Sequence, residues 1–600
     1  MSQQQNNDMQ QHFYRASAAD FKKVPGSPIA YWLSNTVLKA FENTKPLSKL
    51  VSLRKGLTTM DNNRFLRRWY ECSLKVIRFD SVSAYDAKVS GAHWFPINKG
   101  GGDRKWYGLN DFLINWENDG IELKRHISDI YSGQSYTKEI RSEEHYFKKN
   151  ITWSTLSSSS LSLRYTPAGS LFESKGSVGI SNSDDCLHAV LSFGNSKVIN
   201  VFLGALSPTI DFNAGPVGKC PIFFSPMDTI TRLSEKLISI AKTDWDSYEL
   251  SWDFSCSPLL YSECSQKILK VSYQEQLVYR NEIIHEMQRL EEENNKLFIE
   301  AYGLQDELTS EVPLSEITLT CNPHYRYGGN LTDEEREARL QSDTLCELIS
   351  YAIGCMMGRY SLDREGLVYA HAGNEGFKAL VDEGAYSTFT ADDDGILPLT
   401  SENWFEDDVA ARIEQFVASV WGNENLEENL NFIADSLCLY AIKPVKKGGE
   451  TARETIRRYL SSQFYKDHLK TYKKRPIYWL FSSGKEKAFE CLVYLHRYNE
   501  STLPRMRTEY VTPLLGQMAS RIERKRMEQT EASTAEAKRI GKEIDSLNKQ
   551  LTELRAFDDQ LKHHADMRIT LDLDDGVKVN YGKFGTLLSD VKAITGDKGE

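Results

Sequence analysis

Residues 93–120 read HWFPINKGGGDRKWYGLNDFLINWENDG, a run that holds three Trp, a triple Gly and a cluster of cations. Gly100, Gly101 and Gly102 reach backbone angles closed to other residues, so a surface loop there can lie close against a ligand. Lys99, Arg104 and Lys105 flank the glycines with cationic donors, while Trp94, Trp106, Tyr107 and Trp116 supply faces that either fill a core or stack on something planar. Two readings follow: a recognition loop for a phosphate-rich polymer, or a strand, a glycine turn and a second strand whose aromatics are packed inside.

The surroundings fix the fold class around this run. From residue 47 to about 264, short runs rich in Val, Ile, Phe, Tyr and Trp are broken by Gly, Ser, Asn and Pro, the texture of a β-rich or α+β domain. WSTLSSSSLSLRY (153–165) resembles a Ser-rich linker, but its Leu and Trp spacing fits edge strands. Upstream, Pro25 and Pro28 bracket a turn, and Ile29, Trp32, Leu33 and Val37 recur at helical spacing, which predicts a short amphipathic helix. From about residue 269 the texture is helical. Ile283, Met287, Leu290, Asn294, Leu297, Ala301, Leu304 and Leu308 alternate spacings of four and three, a coiled-coil seam with one register-fixing polar residue, Asn294. Ile540, Ile544, Leu547, Leu551, Leu554, Asp558, Leu561 and Ala565 repeat the rule. The two seams are expected to pair antiparallel with each other; the other reading is that each helix packs within a bundle. Residues 313–512 between them read as mainly helical.

Composition bounds the function classes. Six hundred residues exceed one core, and 40% hydrophobic with 26% charged residues is ordinary for a globular chain. No apolar run approaches the roughly 20 residues that span a bilayer, and MSQQQNNDMQQ has no signal-peptide core, so the cytoplasm is the expected location, with no membrane partner. Ten scattered Cys never form C-x-x-C, so reduced thiols are expected. A net charge of −11 argues against a uniformly basic nucleic-acid binder, yet residues 54–105 carry eleven Lys/Arg against five Asp/Glu, and residues 457–475 seven against one. Such segments either present basic stripes to phosphates or are scattered solvated faces. In FYKDHLKTYKKRPIYWLFSS (464–483) cations and aromatics interleave, as a phosphate-binding surface requires; a solvated helix followed by a buried strand, IYWLF, has the same composition.

Catalytic motifs are scarce. Asn322-Pro323-His324-Tyr325 is one residue away from the N-P-P-Y that holds a flipped adenine, but no Gly-rich turn after a strand precedes it to bind S-adenosylmethionine. A turn following a strand, ITLTC, is the expected structure there. The triple Gly lacks the P-loop spacing, and no G-x-S-x-G, H-E-x-x-H or complete calcium loop occurs, so no metal site is expected.

Several stretches together resemble the carboxy-terminal half of the PglX family, the adenine-specific DNA methyltransferases of BREX phage-defence systems. They include FYRASAADFKKVPGSPIAYWLS (13–34), GLTTMDNNRFLRRWYE (56–71), HWFPINKGGGDRKWYG, NITWSTLSSSSLSLRYTP (150–167), EITLTCNPHYRYGG (316–329), ELISYAIGCMMGRYSLD (347–363), residues 464–483 and LDLDDGVKVNYGKFG (571–585). The resemblance implies a mixed α+β chain without a complete Rossmann-like methyltransferase domain. Its parts would be a tail and connecting helix (1–45), a β-rich target-recognition domain (46–265), a first spacer helix (266–310), a mainly helical C-terminal domain (311–512), a second spacer helix (513–570) and a tail (571–600).

The implied function is DNA-sequence recognition on behalf of a catalytic methyltransferase half that carries S-adenosylmethionine, with other BREX components as further partners. This chain would hold no cofactor and would not be active alone. GLTTMDNNRF resembles a G-x-x-T-x-x-N-x-x-F pattern that opens specificity domains, which carries over Gly56, Thr59, Asn62 or Asn63, and Phe65. Duplex DNA contacts are expected from Arg54, Lys55, Arg64, Arg67, Arg68, Lys470, Lys473, Lys474 and Arg475 to phosphates, and from Lys99, Gly100, Gly101, Gly102, Arg104, Lys105, Trp106 and Tyr107 to base edges or by close backbone approach. The alternatives are a protein-interaction scaffold and a divergent complete methyltransferase centred on Asn322.

Overall fold

Short runs rich in β-branched and aromatic residues form strands between residues 52 and 180. In the computed structural model, which describes residues 17–156, 160–207, 211–223, 227–260, 268–445 and 448–596, β1 (Ser52–Arg54), β4 (Asn150–Ser154), β5 (Leu163–Thr166) and β7 (Gly176–Ile180) form an antiparallel sheet in the order β1-β7-β4-β5. Ile151 faces Gly179, and Trp153 faces Leu163. The Ser-rich tract therefore supplies an inner strand and an edge strand; its residues 157–159 lie outside the described residues, as do residues 1–16. A second sheet places β2 (Trp94–Asn98) between β3 (Phe112–Asn115), antiparallel, and the short β6 (Leu171–Phe172), parallel.

The chain is mixed α+β and divides into two units. The first takes Met1–Leu66, Val76–Trp245 and Val278–Asn330; the second takes Arg67–Lys75, Asp246–Leu277 and Leu331–Glu600.

In the first unit, α1 is Asn35–Asn43, capped by Ser34, whose hydroxyl accepts from Val37 N–H. The helix expected from Ile29 starts six residues later, because the Pro25–Pro28 turn region delays helical geometry until that cap; Ile29 and Trp32 remain exposed. The core is built from α4 (Asp184–Gly194), α5 (Lys197–Leu206) and α6 (Met227–Asp246) together with α7 (Leu269–Tyr302). α4 and α5 together have the length and composition of a bent membrane span, but most of their residues are buried in this core; among the described residues no single helix is long and apolar enough to cross a membrane.

The first seam is not the narrow stripe of a coiled coil. Leu290 and Glu291, Asn294 and Asn295, and Phe298 and Ile299 are buried in adjacent pairs, a broad face suited to a globular core, while Ala301 is exposed. Asn294 donates to Ser192 O at 2.9 Å, so it sets a contact inside its own unit.

The second unit packs α9 (Asp333–Met356, with a Thr332 capping box) on α10 (Leu426–Leu439), and orders β8 (Ile396–Pro398), β10 (Glu490–Tyr494) and β9 (Tyr478–Ser482) as one antiparallel sheet. The second seam is satisfied here: α14 (Thr534–Asp566) folds back on α13 (Thr512–Glu531) across two residues. Its buried positions follow the expected rule except that Phe557, not Asp558, points inward; Asp558 accepts from Arg507 at 2.8 and 3.0 Å. Each seam is thus spent inside its own unit, and the expected mutual pairing is corrected.

His468 and His496 are fully buried in this unit. His468 Nε2 accepts from the N–H groups of Ile477 and Tyr478, and His496 Nε2 bonds the Cys72 carbonyl. Burial, reinforced by the nearby Arg359 cation, lowers both pKa values to about 3. Their neutral forms are favoured in the fold, so the contribution is complete above pH ~6.5 and is lost as pH falls from there toward 3, because only the unfolded chain takes up the protons. Between pH 7.5 and 5.5 chemical unfolding of this unit should lose ~2–3 kcal/mol, at roughly 1.4 kcal/mol per pH unit per histidine. An unfolding midpoint unchanged over that interval would contradict the assignment.

Candidate nucleic-acid interface

The motif GLTTMDNNRF forms the link from β1 to α2 (Asn62–Phe65) in the first unit, and its residue types explain its shape. Gly56 is buried so tightly that a Cβ would lie 1.8 Å from the Phe172 carbonyl oxygen, and the next N–H, of Leu57, donates to that oxygen at 3.1 Å. Thr58 N–H donates to Glu139 O at 3.0 Å, and the buried Thr59 hydroxyl donates to Asn62 Oδ1 at 2.5 Å. Asp61 caps α2 by accepting from Arg64 N–H at 3.1 Å, and Phe65 is buried in the core. Gly56, Thr59 and Phe65 therefore shape the loop from inside, correcting the expectation that they touch DNA. Arg54, Lys55, Met60, Asn62, Asn63 and Arg64 are left exposed.

A second segment completes a cationic patch. Ser142 Oγ donates to Lys55 O at 3.3 Å, and His145 is held below its usual pKa by burial, with Glu144 opposing and the cations Arg54 and Lys148 adding to the shift. Exposed Lys138, Arg141 and Lys148 belong to this segment. Of its acids, Glu143 pairs with Lys124 at 2.7 Å and Glu139 accepts from the Tyr131 hydroxyl at 2.7 Å, while Glu144 stays exposed beside His145. Arg64 is paired with Glu122 at 2.6 Å, but among the described residues Arg54, Lys55, Arg141 and Lys148 have no ion-pair partner. The patch is thus net positive where it meets solvent. Lys138, Arg141 and Lys148 were missed in the sequence because KEIRSEEHYFKK averages to near neutrality; only the structure shows which of its charges stand at the surface.

The same segment is braced by an inverted turn. α3 (Glu117–Ile130) opens with Asn118, Asp119 and Gly120 all left-handed, and a Cβ on Gly120 would meet the Trp116 ring at 2.7 Å. Lys124 of this helix bridges Asp119 at 2.8 Å and Glu143 at 2.7 Å.

Other expected contacts are not at the surface. Arg104 is 2% exposed; its guanidinium donates to Tyr107 O, Thr320 Oγ1, Ala241 O and Asp244 Oδ2, all at 2.7–2.9 Å. Burial opposes ionisation of Asp244, but Arg104 and the N–H groups of Thr320 and Cys321 outweigh it and hold the carboxyl below its usual range. Lys105 Nζ and Trp106 Nε1 both donate to Glu291, at 2.9 and 2.8 Å, and Tyr107 is buried. Arg104, Lys105, Trp106 and Tyr107 are corrected from DNA contacts to core: carboxylates far along the chain tie the first three, and Tyr107 is buried. Trp94 and Trp116 are buried too. Lys99 keeps partial exposure, 3.4 Å from Glu173. Gly100 is required by packing, since a Cβ would sit 2.4 Å from Lys175 O; Gly101 and Gly102 are exposed.

The second unit holds the remaining candidates. Arg67 is buried and donates to Asp574 O at 2.6 Å, and Arg68 N–H donates to Glu71 at 2.9 Å, so Arg67 is a structural residue. Of residues 464–483, Phe464, Tyr465, Tyr472, Tyr478, Trp479 and Phe481 are all buried, leaving no aromatic face to stack on a base. The interleaving is a helix (Tyr465–Thr471), a turn and the buried strand β9. Lys470, Lys473 and Lys474 are exposed, the last two both left-handed, and Arg475 lies 3.9 Å from Glu71.

Asn322 is fully buried. Its amide donates to Leu314 O and Ile317 O at 2.7 and 2.8 Å, and its oxygen accepts from His324 N–H to start the short helix Pro323–Arg326. Buried in this way, Asn322 is not presented at the surface to a ligand, and the preceding ITLTC contains no strand.

No family model matches the chain. It is 50% identical over 584 residues to the adenine-specific methyltransferase BrxX of Escherichia coli O9:H4 (strain HS), and 37% identical over 596 residues to the adenine-specific methyltransferase PglX of Lacticaseibacillus casei (strain Zhang). The chain is a homologue of BrxX and PglX. Each alignment covers 97% of this chain and 46% of the relative, so the chain spans about half the length of these methyltransferases. The likeness to BrxX and PglX therefore runs through both units, without extending over the relatives' whole length.

Proposed function

We propose that this chain is the DNA-recognising part of a BREX PglX-type, adenine-specific DNA methyltransferase. In this reading it binds duplex DNA and presents a target adenine to an S-adenosylmethionine-dependent catalytic half outside these 600 residues, in company with other BREX components. The carrying observation is the patch on the first unit. Arg54, Lys55, Arg141 and Lys148 are exposed without ion-pair partners around a loop held rigid by Gly56, Thr59 and Asp61. Cations of this kind position a protein on phosphates, and the side chains of Asn62 and Asn63 between them are of the type that reads adenine edges.

The test is duplex binding by the purified chain across salt concentrations. Four phosphate contacts predict that log affinity falls with log salt at a slope of roughly −4. Binding that is undetectable at low salt, with or without the catalytic half, would overturn the reading.

A further inference from the structure

Met60 stands out against the loop that carries it. It is 47% exposed at the tip between Thr59 and Asp61, with a positive φ of 60°, a region that a residue with an unbranched apolar side chain enters at a cost. Its neighbours do not share this freedom: Leu57 and Thr58 are bonded through their N–H groups to Phe172 and Glu139, Thr59 to Asn62, and Asp61 caps α2. A thioether is therefore held out toward solvent on a rigid, locally strained loop, with Arg54, Lys55, Asn62, Asn63 and Arg64 exposed in the same stretch. Folding gains little from an exposed apolar side chain, and a Gly would take up this backbone conformation without strain.

We infer that Met60 is a wedge that inserts between base pairs of the duplex bound by the patch, unstacking one step and untwisting the DNA locally. Apolar side chains flanked by phosphate-binding cations act in this way on DNA, and methionine, unbranched and polarisable, suits contact with a base face. The rigid anchoring keeps the side chain from folding back when it meets the stack. Opening one step is also what a target adenine would need before leaving the helix. The inference rests on the DNA-binding reading of the same patch.

The experiment is relaxation of a closed-circular plasmid by topoisomerase I in the presence of the full 600-residue chain, with binding to the same plasmid measured in parallel. The wild type should bind and shift the linking number. Compared at equal amounts of bound chain, Met60→Ala and Met60→Gly should lose most of that shift, and Met60→Leu should keep it. Met60→Gly should also melt about 2 °C higher, since the strain is released. A wild type that binds without changing the linking number, or a Met60→Ala shift equal to wild type, overturns the wedge while leaving DNA binding intact. No binding by the wild type removes the DNA reading itself.

Discussion

Replacing Arg54, Lys55 and Lys148 together by Gln should weaken duplex binding on the order of 10²–10³ at 0.1 M salt and flatten the salt slope by roughly 2–3, because three phosphate contacts are removed. The effect should be nearly uniform across sequences, since such contacts position the protein without reading bases. Folding should be unchanged: the three side chains are exposed and carry no ion pairs among the described residues. Filter binding or anisotropy at four salt concentrations, with circular dichroism as control, separates this outcome from general damage. A triple variant with the wild-type slope would remove the patch from the interface. The parallel change Lys473→Glu with Lys474→Glu asks the same question of the second unit.

Arg104→Met should destabilise the first unit by ~3–5 kcal/mol. The substitution leaves Asp244, which is fully buried, with the N–H groups of Thr320 and Cys321 but without its cation, and it strips donors from Tyr107 O, Ala241 O and Thr320 Oγ1. Because Asp244 is held below its usual pKa in the folded state, its contribution is complete above the unfolded value near 4 and is lost as pH falls through the lower folded value. The variant should therefore differ most from wild type at neutral pH and least in strong acid. Chemical unfolding at pH 7 and pH 3 measures both. A variant as stable as wild type but defective in DNA binding would return Arg104 to the surface role that its sequence context suggests.

That contrast shows where the sequence is readable and where it is not. Strands within residues 47–264 follow from short runs rich in β-branched and aromatic residues, and the second seam predicts six of the seven buried positions of α14 because side-chain periodicity is local. Partners are not local. Nothing near Lys105 announces that Glu291 will bind it, so a basic cluster and a buried network look alike; the same holds for Arg67 and Asp574. Periodicity also cannot say which surface a seam meets, and so the two helices appeared made for each other. Gly56, Thr59 and Phe65 were legible as a motif, but their role in shaping the loop from inside rests on contacts to Phe172 and Glu139, far along the chain.

The inverted turn at Asn118–Gly120 has a consequence for natural variation. An L-residue with a branched side chain is excluded from three consecutive left-handed positions, and at Gly120 the Trp116 ring excludes any side chain at all. Substitutions at Asn118 and Asp119 are therefore expected to be tolerated best when they bring in Asn, Asp or Gly. Lys124 couples that strip to Glu143 beside the patch, so one cation holds the turn and the neighbouring cationic segment together.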